Sequence, residues 1–190
     1  DDELKKSMRP TAQTRFDYVH RYVVTADGEV QLITKIVCSG EQPDFLPRLG
    51  LVMTLPREYE HVAWYGRGPH ENYADRKAGA AIDLYRCKVD DLYVPYIIPQ
   101  EHGNRTDVQW LSLTSESGAG LLVQADQPVS FSAHRFTAAD LTQAQHTHEL
   151  ARRDEIYLSI DLAQNGLGNG SCGPGVLPQY MLKPGEYGFS

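Results

Sequence analysis

The chain has 190 residues, of which 41% are hydrophobic and 23% are charged. This balance is typical of a soluble globular protein, and no apolar run reaches the roughly 20 residues of a membrane-spanning helix. The formal net charge of −7 argues against a nucleic-acid partner, because binding a phosphate backbone requires a basic surface. The length suits an all-β protein, and we expect a single domain over residues 1–190.

The cysteines and the two ends of the chain give further expectations. Cys38, Cys87 and Cys172 are widely spaced and form no C-x-x-C pair, so reduced thiols are expected. The chain starts with Asp-Asp-Glu-Leu-Lys-Lys and stops where another strand begins. We therefore expect a piece of a longer protein, truncated at both ends, whose compartment, cytoplasmic or periplasmic, stays open.

Strand patterns occupy most of the chain. An Asp-Gly pair at residues 27–28 predicts a tight hairpin turn, and a polar turn at 115–119 predicts a second hairpin. In a later segment, Val129, Phe131 and Ala133 alternate with polar residues, which predicts a half-buried strand. The predicted strands are residues 18–24, 30–37, 47–55, 61–65, 108–114, 120–125, 129–134 and 156–162.

Two segments depart from this pattern. The T-x-x-D spacing at residues 137–140 predicts a short helix that ends near residue 144, the only helix expected. Residues 66–88 are predicted as a long loop without regular structure. Such a loop is uncommon in a compact domain unless it has a function or packs against a neighbour.

The densest stretch is Trp-Tyr-Gly-Arg-Gly-Pro-His-Glu-Asn-Tyr-Ala-Asp-Arg at residues 64–76. Gly66 and Gly68 permit positive φ angles and Pro69 fixes φ, so a tight corner is predicted there.

Charged and aromatic side chains follow this corner. We expect Arg67 and Arg76 to bind Glu71 and Asp75 in a charge-paired network, because guanidinium groups grip carboxylates bidentately and stack on rings. Together with Asn72 and Tyr73, these residues are interpreted as a structural anchor that holds the loop closed.

Three segments carry a family resemblance. Residues 64–76, Tyr-Val-Pro-Tyr-Ile-Ile-Pro-Gln-Glu-His-Gly-Asn-Arg at 93–105, and Gly-Leu-Gly-Asn-Gly-Ser-Cys at 166–172 are here called the first, second and third signatures. They resemble, in the same order, motifs of the C-terminal domain (the small chain, or domain 5) of glycoside hydrolase family 2 beta-galactosidases. The resemblance covers roughly residues 15–190.

The resemblance implies an antiparallel beta-supersandwich that is related to galactose mutarotases. It also implies a place in a retaining enzyme that hydrolyses terminal β-D-galactosides, with the acid and nucleophile glutamates in a separate barrel domain upstream. The implied partners are the barrel and other domains of that enzyme, its galactoside substrate and further copies in a homo-oligomer. Mg²⁺ and Na⁺ are implied for the barrel domain, and no cofactor is implied for this chain.

No residue of the chain is predicted to be catalytic. Retaining glycoside hydrolysis needs two carboxyl groups about 5 Å apart, one of them an acid with a raised pKa. Glu71, Asp75 and Glu101 lie in constrained loops, but each has an arginine nearby in sequence. A neighbouring cation lowers a carboxyl pKa, which is the wrong direction for a general acid.

Other polar residues allow two interpretations. His134 either lines a sugar-sized concavity with Glu101, Asn104 and Arg105, as a mutarotase-like fold would allow, or lies exposed on the surface, which we favour.

His146 and His148 flank Thr147 on what is interpreted as one face of a strand. No Cys or carboxylate at recognisable spacing completes a ligand set, so a solvated pair is expected and no metal site.

The glycine-rich loop, residues 165–175, lacks the G-x-x-x-x-G-K-[ST] pattern of a phosphate site. The family resemblance implies instead that Asn169, Ser171 and Cys172 lie near the galactoside pocket of the barrel domain. Many family members have tryptophan where this chain has Cys172, so the aromatic sugar contact is not carried over.

Two functions of different class follow. The chain is either a non-catalytic domain of a beta-galactosidase or a free-standing carbohydrate-binding or aldose-epimerase-like module that uses the concave face of the sandwich.

Overall fold

The computed structural model describes residues 14–170 and 172–190. This part of the chain forms nine strands, one short α-helix and three 3₁₀ turns, so the all-β prediction is confirmed. The elements are β1 (Arg15–Val24), β2 (Val30–Ser39), β3 (Arg48–Leu55), β4 (His61–Gly68), β5 (Ala81–Lys88), β6 (Arg105–Thr114), β7 (Gly120–His134), α1 (Ala138–Gln143), β8 (Ile156–Gln164) and β9 (Glu186–Phe189).

The strands form two antiparallel sheets, consistent with a sandwich. One has three strands in the order β1-β2-β9, and the other has six in the order β3-β8-β7-β6-β4-β5. Both predicted hairpins are present, and each uses a glycine with positive φ, Gly28 at 91° and Gly118 at 84°. Glycine takes this backbone conformation without the Cβ clash that other residues meet.

The main core lies on one face of the six-stranded sheet. Trp64 at its centre is 1% exposed, stacks on Tyr85 with ring centroids 5.2 Å apart, and meets the edge of Phe131 at 5.5 Å. Its indole N–H donates to the carbonyl of Arg67 at 3.0 Å, which satisfies the one polar atom of the ring. The buried members of this cluster are Val62, Trp64, Val89, Leu92, Val108, Leu111, Leu113, Val129, Phe131, Ala133, Ile156, Leu158 and Ile160.

A smaller cluster joins the two sheets. Leu46, Leu49 and Leu182 are buried together, and Ile36 of β2 and Tyr187 of β9 pack against them. The three-stranded sheet is therefore fixed to the β3 and β8 side of the six-stranded sheet by apolar contact.

The predicted corner at Gly66 and Gly68 is wrong in position. Strand β4 continues through both glycines, neither has a positive φ, and the chain leaves the strand only at the cis Gly68-Pro69 peptide. Close packing explains the glycines. A Cβ on Gly66 would lie 2.7 Å from the Cα of Val108, and one on Gly68 would lie 2.9 Å from the rings of Trp64 and Tyr85.

The predicted long loop over residues 66–88 is also wrong, because β5 pairs with β4 from Gly68↔Ala81 to His61↔Lys88. This edge strand escaped prediction since Asp83 and Arg86 interrupt its apolar pattern and much of it is exposed.

The two strands predicted at residues 120–125 and 129–134 are one strand of 15 residues, β7. The register shifts in β6 at residues 105–110 accommodate the irregular middle of the pair. The end of β7 is buried on both faces, so the expectation of a half-buried strand is wrong: Ser130 is 8% exposed and Ser132 is 1% exposed.

The predicted helix is present as α1. Its capping box is formed by Thr137 and Asp140: the Asp140 amide donates to the Thr137 hydroxyl at 3.1 Å, and the Thr137 amide donates to the Asp140 carboxylate at 2.8 Å. Among the described residues, no helix has the length and apolar content needed to cross a membrane.

The packing around Gly66 gives a first prediction. Gly66→Ala should lower the free energy of unfolding by about 1–3 kcal/mol, because its methyl group would press on the backbone and side chain of Val108. Gly175→Ala is the matched control, since a Cβ there meets no atom within 4 Å. Urea denaturation of both variants measures the difference, and equal stabilities would contradict this packing.

Candidate functional site

The first and second signatures are joined by two buried asparagines. The Asn72 amide donates to the Asn104 carbonyl at 2.8 Å, and the Asn104 side chain donates back to the Asn72 carbonyl at 2.9 Å. The Asn72 side-chain oxygen also accepts from the backbone N–H and the hydroxyl of Thr106, at 2.9 and 2.6 Å. Both asparagines are at most 1% exposed, so these bonds form away from water.

The residues beside this pair extend the connection. Glu71 accepts from the Gly103 amide at 2.8 Å and from the hydroxyls of Tyr73, at 3.2 Å, and Tyr96. Three donors therefore hold its carboxylate, which favours a structural acceptor over a proton donor.

Arg105 of the second signature binds the backbone of the first. Its guanidinium donates to the carbonyls of Pro69 at 2.9 Å and Gly103 at 2.7 Å, and it lies 5.7 Å from the centre of the Trp64 ring. Arg105 thus ties the first signature to the second and packs both against the core.

The first signature also binds the third. Asp75 accepts from the amides of Leu167 at 3.1 Å and Gly168 at 2.8 Å. Arg76 donates to the Gly168 carbonyl and to the side-chain oxygen of Asn169, the latter at 3.1 Å. One acid and one base from adjacent positions therefore fix the start of the glycine-rich loop. We call the three connected signatures the signature cluster.

The predicted pairing of Arg67 and Arg76 with Glu71 and Asp75 is wrong. Arg67 instead pairs with Asp107, with Nε and Oδ2 2.5 Å apart, and Lys77 binds the same carboxylate at 2.9 Å. Asp107 has a φ of 55°, a left-handed conformation that Asp tolerates better than most residues. Burial opposes the charged form of Asp107, but these two cations outweigh it and lower its pKa.

Glu101 has an unexpected partner as well. Its carboxylate lies 3.2 Å from the guanidinium of Arg48, which also pairs with the buried Asp161, and Arg105 is not its partner. Burial raises the pKa of Glu101 despite Arg48, and burial likewise raises the pKa of Asp161. The expected lowering of the Glu101 pKa is therefore wrong, because burial outweighs the cation.

Three of the four residues considered as sugar contacts are buried. Asn104 is 1%, Arg105 is 3% and His134 is 9% exposed, so the expected surface position of His134 is wrong. The His134 Nε2 lies 2.9 Å from the carbonyl of His102, and the two ring centroids are 4.2 Å apart with their planes tilted by 43°. Burial, reinforced by neighbouring positive charge, lowers the pKa of His134 to about 3. Glu101 alone of the four reaches solvent substantially.

The glycine-rich loop projects from this cluster. The carbonyl of Asn169 accepts from the amides of Cys172 at 3.0 Å and Gly173 at 2.6 Å, which makes a tight turn. Asn169 and residues 172–175 are exposed, whereas Ser171 lies outside the described residues. Gly168 has a φ of 64°, and a Cβ on it would lie 2.7 Å from the backbone of Gly175, so the base of the loop closes through glycine.

The two histidines lie in a different setting from the one expected. They flank the start of a 3₁₀ turn, Thr147–Glu149, and no strand is present there. The predicted lack of a nearby carboxylate is wrong, because Glu149 lies 2.8 Å from the Nδ1 of His146.

Residues 2–190 match the family described as beta galactosidase small chain. The chain belongs to this family. In the fold, the first, second and third signatures of this chain form one hydrogen-bonded cluster.

Known beta-galactosidases match most of the chain. The beta-galactosidase of Kluyveromyces lactis is 37% identical over 177 residues, which are 92% of this chain and 17% of that protein. Those of Vibrio cholerae serotype O1 and Priestia megaterium are 36% and 34% identical, over 89% and 77% of this chain and 16% and 14% of their own lengths. The chain thus spans about one sixth of the relatives it matches.

Sequence reasoning missed Asp107, Tyr96 and Arg48. Tyr96 belongs to the second signature and could have been proposed as a partner of the first. Asp107 and Arg48 carry no local signal, since their partners Arg67 and Glu101 lie 40 and 53 residues away along the chain.

The contact between Asp75 and the glycine-rich loop gives a second prediction. Asp75→Ala removes the acceptor of two backbone amides and should cost about 1–3 kcal/mol of stability. Amide hydrogen exchange should accelerate at Leu167 and Gly168, because the loop then opens locally.

Asp126→Ala is the control, since it removes an exposed carboxylate elsewhere. If exchange at the two loop amides is unchanged in Asp75→Ala, the loop is held by other contacts.

Proposed function

We propose that this chain is a non-catalytic sandwich domain of a glycoside hydrolase family 2 beta-galactosidase that hydrolyses terminal β-D-galactosides with retention. The membership of the small-chain family and the names of the relatives support this proposal. The observation that carries it is the use of the signature carboxylates: Glu71 and Asp75 accept hydrogen bonds that hold the fold together. Neither is left free for proton transfer.

The proposal assigns a role to the glycine-rich loop at the edge of the galactoside pocket. Asp75 and Arg76 fix its start, while the turn around Cys172 is exposed. A rigid base and an exposed tip suit a loop that reaches a ligand held mainly by another domain. Cys172 provides a small, weakly polar side chain there, which leaves space for a bulky leaving group.

The exposed face of β1 is the surface that we assign to contact with other domains of the same enzyme. Phe16, Tyr18, Tyr22 and Val24 alternate along one face of this strand and are 45%, 65%, 62% and 70% exposed. Only His20 interrupts this row, and so many large exposed side chains on one face are unusual on a surface that stays in water. Barrel and neighbouring domains of a homo-oligomeric enzyme, with Mg²⁺ and Na⁺ in the barrel, are part of this proposal.

One observation favours the alternative, an aldose-epimerase-like module. Arg48 lies between Glu101 and Asp161, and burial raises the pKa of both carboxyls, as general acid–base chemistry requires. Sugar mutarotation needs such a proton donor and acceptor. The Arg48 ion pairs, however, are those of a structural network, and we therefore retain the beta-galactosidase domain as the conclusion.

The isolated chain should neither hydrolyse a chromogenic β-galactoside nor accelerate mutarotation of galactose. The reason is that its constrained carboxylates serve as hydrogen-bond acceptors or ion-pair partners. Absorbance and polarimetry at matched protein concentrations measure the two activities.

Variants identify the source of any activity. Hydrolysis that Glu71→Gln or Glu101→Gln abolishes would overturn the non-catalytic assignment. Mutarotation that Glu101→Gln abolishes and Glu116→Gln preserves would favour the epimerase-like module, since Glu116 is an exposed acid in a hairpin turn.

In the complete beta-galactosidase, Cys172→Trp should change KM or the preference for leaving groups more than it changes stability. The exposed loop tip accommodates a ring without disturbing the core, and the ring can contact a sugar. Kinetics over a panel of aryl and alkyl galactosides, together with thermal melts, provide the comparison.

Two control variants separate the effect of losing the thiol from the effect of adding a ring. Cys172→Ala removes the thiol without adding a ring, and Ser117→Trp adds a ring at an exposed hairpin turn elsewhere. If Cys172→Trp and Ser117→Trp have the same kinetics, the proposal that the loop lies at the galactoside pocket is wrong.

A further inference from the structure

The connection between α1 and β8 gathers three metal-ligating side chains at the surface. The 3₁₀ turn Thr147–Glu149 reverses the chain, with the Glu149 amide donating to the His146 carbonyl at 3.1 Å. As a result, one ligand atom each from His146, His148 and Glu149 lies within 4.8 Å of the others. All three residues are exposed, so an ion can reach them from solvent.

Local contacts orient these groups. One oxygen of Glu149 lies 2.8 Å from the Nδ1 of His146, and its other oxygen accepts from the Gln145 amide at 2.8 Å. The rings of His146 and His148 stack with centroids 5.4 Å apart and planes 24° from parallel. The Gln145 amide therefore fixes the carboxylate beside two nearly parallel imidazole rings. Because these side chains are already oriented, they lose less conformational entropy when an ion binds.

The donor set selects the class of ion. Two imidazole nitrogens and one carboxylate oxygen suit Zn²⁺, Cu²⁺ or Ni²⁺, whereas Mg²⁺ and Ca²⁺ prefer oxygen ligands alone. Ligand bonds to Zn²⁺ are about 2.0–2.2 Å long, so a central ion draws donors that start this close into contact by side-chain rotation. We propose that His146, His148 and Glu149 form a surface binding site for a divalent transition-metal ion, with water completing the coordination.

Such an ion would stabilise the connection between α1 and β8, which is already joined to neighbouring residues by hydrogen bonds and an ion pair. After the turn, Arg153 pairs with Asp140 of α1 at 2.6 and 2.8 Å, and its amide donates to the Arg135 carbonyl at 3.0 Å. The folded turn holds the three ligands together, so an ion there binds it more tightly than the extended chain and stabilises the native state. This site is independent of the function proposed above and involves no residue of the signature cluster.

Zn²⁺ titration of the metal-free chain, followed by calorimetry, tests the site. We expect one Zn²⁺ per chain and a melting temperature that rises with Zn²⁺ and does not change with the same concentration of Mg²⁺. Broadening of the His146 and His148 ring signals by Ni²⁺ in nuclear magnetic resonance spectra should locate the ion.

Matched variants make the assignment specific. His146→Ala and His148→Ala should lose the calorimetric signal, and Glu149→Gln should weaken it. His70→Ala removes an exposed histidine elsewhere and should bind as the parent does. Without metal, the variants should fold as the parent does, because the histidine side chains are exposed and that of His146 does not cap the turn.

The proposal fails if the parent chain shows no saturable Zn²⁺ binding. It also fails if His148→Ala binds as tightly as the parent, or if Mg²⁺ competes equally with Zn²⁺. Loss of binding in His70→Ala alone would place the ion elsewhere and would likewise overturn the assignment.

Discussion

The reciprocal bonds between Asn72 and Asn104 are the contact on which the signature cluster depends. Each amide is buried, and a buried polar group without a partner costs about 1–3 kcal/mol, so the two loops are stable only when they lie together. This constraint also sets the positions of their neighbours. Because Glu71 and Arg105 are neighbours of the two asparagines in sequence, the same pairing brings Glu71 to the Gly103 amide and Arg105 to the Pro69 carbonyl.

The same constraint extends to the exposed glycine-rich loop. Once Asn72 is fixed, Asp75 and Arg76 follow within four residues and meet the backbone at Gly168 from two sides. The buried Trp64 supports this arrangement from below, since Arg105 lies over its ring. A chain of contacts thus runs from the core to the start of the glycine-rich loop and holds that end of the loop in a defined place relative to the sheet.

The carboxylates show why residue type alone does not define a site. Glu71, Asp75, Glu101 and Asp107 all lie in or beside the signatures, yet their surroundings differ. Backbone amides and hydroxyls hold the first two, whereas Asp107 and Glu101 have cationic partners from distant strands. Cationic partners lower the pKa of Asp107, but burial raises that of Glu101, so for Glu101 the arginine close in sequence predicted neither the partner nor the direction of the pKa shift.

The sequence alone determined the all-β class, both hairpins, the capped helix and the family, because turn glycines, alternation, capping residues and motif spacing are local signals. It also marked the segments that form the signature cluster. The tertiary structure decided the partners: that Gly66 and Gly68 make space for Val108 and Trp64, that Arg67 pairs with Asp107, and that His134 is buried. Apart from the contact of Gly68 with Trp64, these contacts join residues far apart in the chain, and strand register, which only the folded sheet fixes, brings them together.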